Sequence, residues 1–213
     1  MSDEHSISDL LPLLELDEYI ALDLETTGLN PQTDFITEIS ACRFINGEFK
    51  NEFTSLINPG IPIPKNIVEI TGITDAMVSG APQINDVLPG LIEFLAQSPL
   101  VGQNVNFDYS FINHNCVKYN LMFPKVPIYD TLSLARSFIY FHNSFNLTAL
   151  CEYYDISIEN AHRASADARA TGNLFIYLIH EVLSRPLTLI QHIDTLAKKG
   201  NINNKELFSN IIK

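Results

Sequence analysis

The chain has 213 residues, 46% of them hydrophobic and 18% charged, with 13 Lys+Arg against 25 Asp+Glu and a net charge of −12. This composition suits a globular chain with a buried core and excludes extensive disorder, and the length suits one compact domain with short extensions. No apolar run approaches the roughly 18 residues of a membrane-spanning helix, and the acidic start MSDEHSISD is unlike a secretory signal.

The three dispersed cysteines, Cys42, Cys116 and Cys151, read as buried thiols of a cytoplasmic protein. Charge divides unevenly: residues 1–18 carry −6, residues 19–184 carry −9 and residues 185–213 carry +3. A tight duplex binder presents a basic face, so nucleic acid is expected to bind weakly and locally. This charge and the turn signals divide the chain into an acidic N-terminal extension (1–17), a main domain (18–184) and a helical C-terminal extension (185–213).

In chain order, residues 6–16 suit a short helix. YIALDLE at 19–25 alternates Tyr19, Ala21, Asp23 and Glu25 against Ile20, Leu22 and Leu24, a strand with one face on the core. Gly28 and Pro31 break the chain. FITEISACRFI and EFKNEFTSLI are two strands joined at Asn46-Gly47, a strong hairpin signal, and the proline-rich stretch 58–64 is a loop. Ile84, Val87, Leu88, Leu91, Ile92 and Leu95 recur at helical spacing. A short strand at 99–103, a helix over 107–119, a short strand at 126–130, and helices near 130–137, 146–154 and 165–183 follow. This order predicts an α/β fold with a mixed sheet flanked by helices. Leu189, Ile190, Ile193 and Leu196 suggest a further amphipathic segment, interrupted at 200–204.

Four carboxylates and one histidine stand out. Asp23 and Glu25 share a strand face, two residues apart, at the strand's end. Asp108 lies on a helical stripe with Phe111, Ile112 and Asn115, and Asp167 shares one with Thr171, Leu174 and Leu178. An acid on a core-facing stripe is costly unless paired or bound to a cation. Brought together, the four carry −4, which two divalent cations neutralise; an all-oxygen set suits Mg²⁺ or Mn²⁺. Such a pair of ions suits attack of water on a phosphodiester, with His162 in reach of Asp167 as a base.

The segments Asp23-Leu-Glu25-Thr26-Thr27-Gly28, Asn104-x-x-Phe107-Asp108 and His162-Arg-Ala-x-x-Asp167 occur in the order of the three motifs of the DEDDh, or DnaQ-like, 3′→5′ exonucleases, which they resemble. The resemblance spans about residues 18–184 and includes the group of the proofreading epsilon subunit of bacterial DNA polymerase III. It implies a ribonuclease H-like fold with a five-stranded mixed sheet. It also implies that Asp23, Glu25, Asp108 and Asp167 hold two Mg²⁺ or Mn²⁺ ions, Asp23 between them, with His162 as general base. Thr26, Gly28, Leu29, Asn104 and Phe107 would bind the terminal nucleotide. The implied reaction releases nucleoside 5′-monophosphates from the 3′ end of single-stranded DNA, in proofreading or repair, with a DNA polymerase as a candidate partner. RNA trimming on the same fold, or a polymerase-bound interaction subunit, are the alternatives. The chain departs from many members at Gln103 and Thr71, where they carry histidine, and segment 191–196 is no convincing sliding-clamp peptide.

Overall fold

The computed structural model describes residues 7–139, 144–158, 162–200 and 203–213. The acidic residues 1–6, and residues 201–202 of the expected C-terminal interruption, lie outside these. Five strands, β1 (Glu18–Thr26), β2 (Ile36–Ile45), β3 (Glu48–Leu56), β4 (Leu100–Gly102) and β5 (Ile128–Asp130), form one sheet in the order β3-β2-β1-β4-β5. The β1–β2 and β2–β3 pairs are antiparallel, and β1–β4 and β4–β5 are parallel. The helices are α1 (Ile7–Leu10), α2 (Lys65–Thr71), α3 (Asp75–Val78), α4 (Ile84–Leu95), α5 (Val105–Lys118), α6 (Thr131–Phe138), α7 (Leu147–Tyr153), α8 (Ala164–Leu183), α9 (Leu187–Gly200) and α10 (Lys205–Ile211). None of the described helices is long and apolar enough to cross a membrane.

The hairpin forms where Asn46-Gly47 marks it. Both residues take positive φ, 52° and 82°, the backbone that a two-residue turn between twisted strands requires. The expectation that β1 has a single core face is corrected. Tyr19 and Ala21 pack with Leu174, Phe175 and Leu178 of α8 on one side of the sheet. Ile20, Leu22 and Leu24 pack with Leu88 and Leu91 of α4 and with Phe111 and Ile112 of α5 on the other. As the middle strand, β1 is covered on both faces, and its acids at 23 and 25 come where the α8-side cover gives way.

Two helices, α2 and α3, lie in a segment with no readable period; at seven and four residues they are too short to show one. Helix α5 begins at Val105, two residues before the expected 107, because Asn104 takes a left-handed φ of 65° and turns the chain into it. In the C-terminal segment, α9 and α10 place Ile190, Ala197, Leu207 and Phe208 in the same buried cluster as Tyr19 and Phe175.

Candidate active site

The last residues of β1 and the first turn of α8 meet. Asp23, Glu25 and Asp167 each offer a carboxylate oxygen, and these atoms lie within 4.8 Å of one another. Burial is the main cause that raises all three above the usual carboxylate range, and repulsion among the acids adds to it. Glu25 is pushed up to about 8. Asp108 stands outside that trio. It is 3% exposed, and its Oδ1 accepts a 3.0 Å hydrogen bond from the backbone N–H of Leu24, between Asp23 and Glu25. Its charge helps to raise Asp23, so the two carboxylates are electrostatic neighbours.

His162 lies in the turn before α8, exposed, with a left-handed φ of 66°. Its backbone N–H donates to Asp167 Oδ2 at 3.0 Å, and the proximity of its ring favours the ionised form of Asp167. The next residue, Arg163, is not a free cation. It grips Glu38 of β2 through Nε at 3.1 Å and Nη2 at 2.7 Å. Glu38 Oε2 also accepts from the backbone N–H of Ala164 at 3.1 Å. Arg163 supplies no side-chain cap to α8, so a carboxylate from β2 satisfies the helix start instead. Glu38, 1% exposed and opposite Glu25 in the β1–β2 register, escaped the reading of the sequence.

The loop after β1 is tied across its base. Thr27 N–H donates to the Phe35 carbonyl at 2.8 Å, and Phe35 N–H donates to Thr27 Oγ1 at 2.9 Å. Inside it Thr26 Oγ1 donates to the Gly28 carbonyl at 2.5 Å. A Cβ at Gly28 would overlap the Asp34 carboxylate, which itself holds the Asn30 N–H at 2.8 Å. This bracing leaves Leu29 83% exposed at the tip. Asn104 is exposed at the entry to α5, and Phe107 is half-buried with its ring 5.0 Å from that of Phe111. Gln103 is taken up by the scaffold: Nε2 donates to the Phe145 carbonyl at 2.7 Å, and Oε1 accepts from Thr131 Oγ1 at 2.5 Å. Thr71 is buried and its hydroxyl links Ile67 to Ile73.

The chain matches the exonuclease family model of RNase T over residues 20–175. The chain belongs to this exonuclease family. It is 34% identical over 190 residues to a PolC-type DNA polymerase III of Caldanaerobacter subterraneus subsp. tengcongensis, covering 89% of this chain but only 14% of that polymerase. Among solved structures, exonuclease X in complex with 5′-overhanging duplex DNA superposes with a TM-score of 0.61 and 26% identity, over 76% of this chain and 91% of that one. The zinc-bound Escherichia coli exonuclease I–ssDNA complex gives a TM-score of 0.67 at 21% identity, over 84% of this chain and 43% of that one. The expected mixed five-stranded exonuclease fold is therefore present.

The donor set in this exonuclease domain fits a hard divalent cation. All three clustered side chains offer carboxylate oxygens, held close enough to repel one another and partly withdrawn from water. Neutralisation by a cation removes that penalty.

Proposed function

We propose that the chain is a divalent-metal-dependent 3′→5′ exonuclease acting on single-stranded DNA. The observation that carries this reading is the Asp23–Glu25–Asp167 cluster beside His162. Asp23, Glu25 and Asp167 would hold one Mg²⁺ or Mn²⁺, and Asp108 with Asp23 would hold a second. When bound, two such cations supply the positive charge that activates water and stabilises the departing 3′ oxygen. His162, exposed in its turn, is the group that takes the proton from the attacking water. Leu29, on its braced loop, lies against the terminal base, with Thr26, Gly28, Asn104 and Phe107 around the same nucleotide. Each turnover breaks the terminal P–O3′ bond, adds one water, and yields a nucleoside 5′-monophosphate and a strand shorter by one residue.

DNA is favoured over RNA because exonuclease X and exonuclease I, on the same fold, are DNA complexes. The PolC-type relatives support a setting in proofreading or repair with a polymerase as partner. The buried free thiols of Cys42, Cys116 and Cys151 support a reducing, cytoplasmic location.

A time course on 5′-labelled single-stranded DNA and RNA with Mn²⁺, resolved by length, tests the reading. A ladder of DNA products shortened from the 3′ end, abolished by EDTA, is the expected result. Equal resistance of both strands, or activity undiminished by EDTA, would overturn it.

A further inference from the structure

The C-terminal helices reach the second acidic motif. Residues 203–204, which lead into α10, bring Asn204 to β5, an edge strand. Asn204 is 2% exposed, at a left-handed φ of 71° that asparagine tolerates better than most residues. Its side-chain amide pairs with β5 as a neighbouring strand would. Oδ1 accepts from the Asp130 backbone N–H at 2.8 Å, and Nδ2 donates to the Asp130 carbonyl at 3.2 Å. Nδ2 also donates to Ser133 Oγ at 2.7 Å, and the Asn204 N–H reaches the Ile128 carbonyl at 3.3 Å.

Asp130, fixed in this way, turns its carboxylate on the entry to α5. Oδ1 accepts from the N–H groups of Asn104 at 2.8 Å and Val105 at 3.3 Å. Asn104 supplies no side-chain cap, so Asp130 does that work from another element. Asn203 adds a direct tie, its Nδ2 donating to Asn106 Oδ1 at 3.1 Å. Asp108 follows within the same first turn of α5. We propose that Asn204 is a positioning residue of the exonuclease site: through Asp130 it sets the first turn of α5, and with it Asp108. The assignment rests on the reading of Asp108 as a site residue. Asn204 lies outside the span that matches the exonuclease family, which ends at residue 175.

The test compares the full chain with Asn204→Gly and Ile190→Ala. Glycine keeps the left-handed backbone and removes only the amide; Ile190→Ala weakens the packing of α9 without touching Asp130. Hydrogen exchange at the Asn104 and Val105 amides is measured without metal, and Mn²⁺-dependent single-turnover cleavage of a short oligonucleotide is measured alongside. Asn204→Gly should unfold cooperatively, exchange those two amides about tenfold faster or more, and cleave about 10- to 100-fold more slowly, the scale of a small misplacement. Ile190→Ala should lower the Tm and leave both readouts as in the parent. Parental exchange and cleavage in Asn204→Gly, or equal losses in both variants at matched Tm, would overturn the proposal. If Asn204→Gly does not fold, Asn204→Asp, which keeps the acceptor and loses the donor, replaces it. If the parent chain cleaves nothing, the exonuclease reading has failed, and the exchange comparison still decides whether Asn204 sets the turn.

Discussion

Glu25 and Glu38 face each other across β1 and β2, where like charges repel. The arrangement holds because Arg163 meets Glu38 with two hydrogen bonds and Ala164 adds a third. Glu38→Gln keeps the shape and removes the charge. It should destabilise the fold by about 1.5–3 kcal/mol, the range for hydrogen bonds to charged groups, read from urea unfolding. An unchanged midpoint would mean that the Arg163 side chain, 41% exposed, hydrates without loss. His162→Ala should bind Mn²⁺ as the parent does, yet cleave roughly 10²–10⁴-fold more slowly; equal single-turnover rates would remove His162 from the proton transfer. Asp108 and Asp167 were legible in the sequence because acids on core-facing stripes are costly without partners, and Asp23 and Glu25 because they share one strand face at the strand's end. Glu38 was not, since in FITEISACRFI it is an ordinary polar step of a strand. Its partner is 125 residues away, and no local pattern connects the two. Asp130 and Asn204 escaped for the same reason, being 74 residues apart.

Helix α8 carries Asp167 and brings it to β1 by lying close against the sheet. Tyr19 Oη donates to the Gly172 carbonyl at 3.0 Å. A Cβ at Gly172 would run into the ring of Phe44, which is itself stacked on Tyr19 at 5.1 Å. Gly172→Ala must therefore push α8 off β2 or displace a buried ring. Overpacking of this kind costs typically about 1–3 kcal/mol, and thermal unfolding should register the loss despite alanine's higher helix propensity. A Tm at or above the parent's would mean that the helix shifts without cost. Elements of this length were readable: α4, α8 and the β2–β3 hairpin each have enough residues, or a specific enough turn, to display a period. The short helices α2 and α3 do not. The second cover on β1 was hidden because alternation looks the same whether the face bearing Tyr19 and Ala21 meets helix or water.

The whole molecule carries −12, and part of that excess is concentrated where Asp23, Glu25 and Asp167 cluster with Asp108 as an electrostatic neighbour. Burial raises all four, and Glu25 moves from 4.5 to about 8. Between those two values the metal-free folded protein retains a proton that the unfolded chain has released. Its contribution to stability is therefore complete below about pH 4.5 and is lost as pH rises through about 8. A cation bound by the folded state at these carboxylates would replace the proton and add stability by mass action, about 2.7 kcal/mol at a hundredfold excess over Kd. In EDTA the Tm should fall from pH 5 to pH 8, and saturating Mn²⁺ should offset most of that fall. General repulsion among the other acids also lowers stability at high pH, so the comparison that isolates the cluster is Glu25→Gln, which cannot release the proton. This variant should show a flatter decline in EDTA and a smaller gain with Mn²⁺. Parallel curves for the two proteins would assign the decline to net charge and remove Glu25 from the cation site; a Tm that rises across the range in EDTA would mean that the carboxylates are already ionised in the metal-free fold.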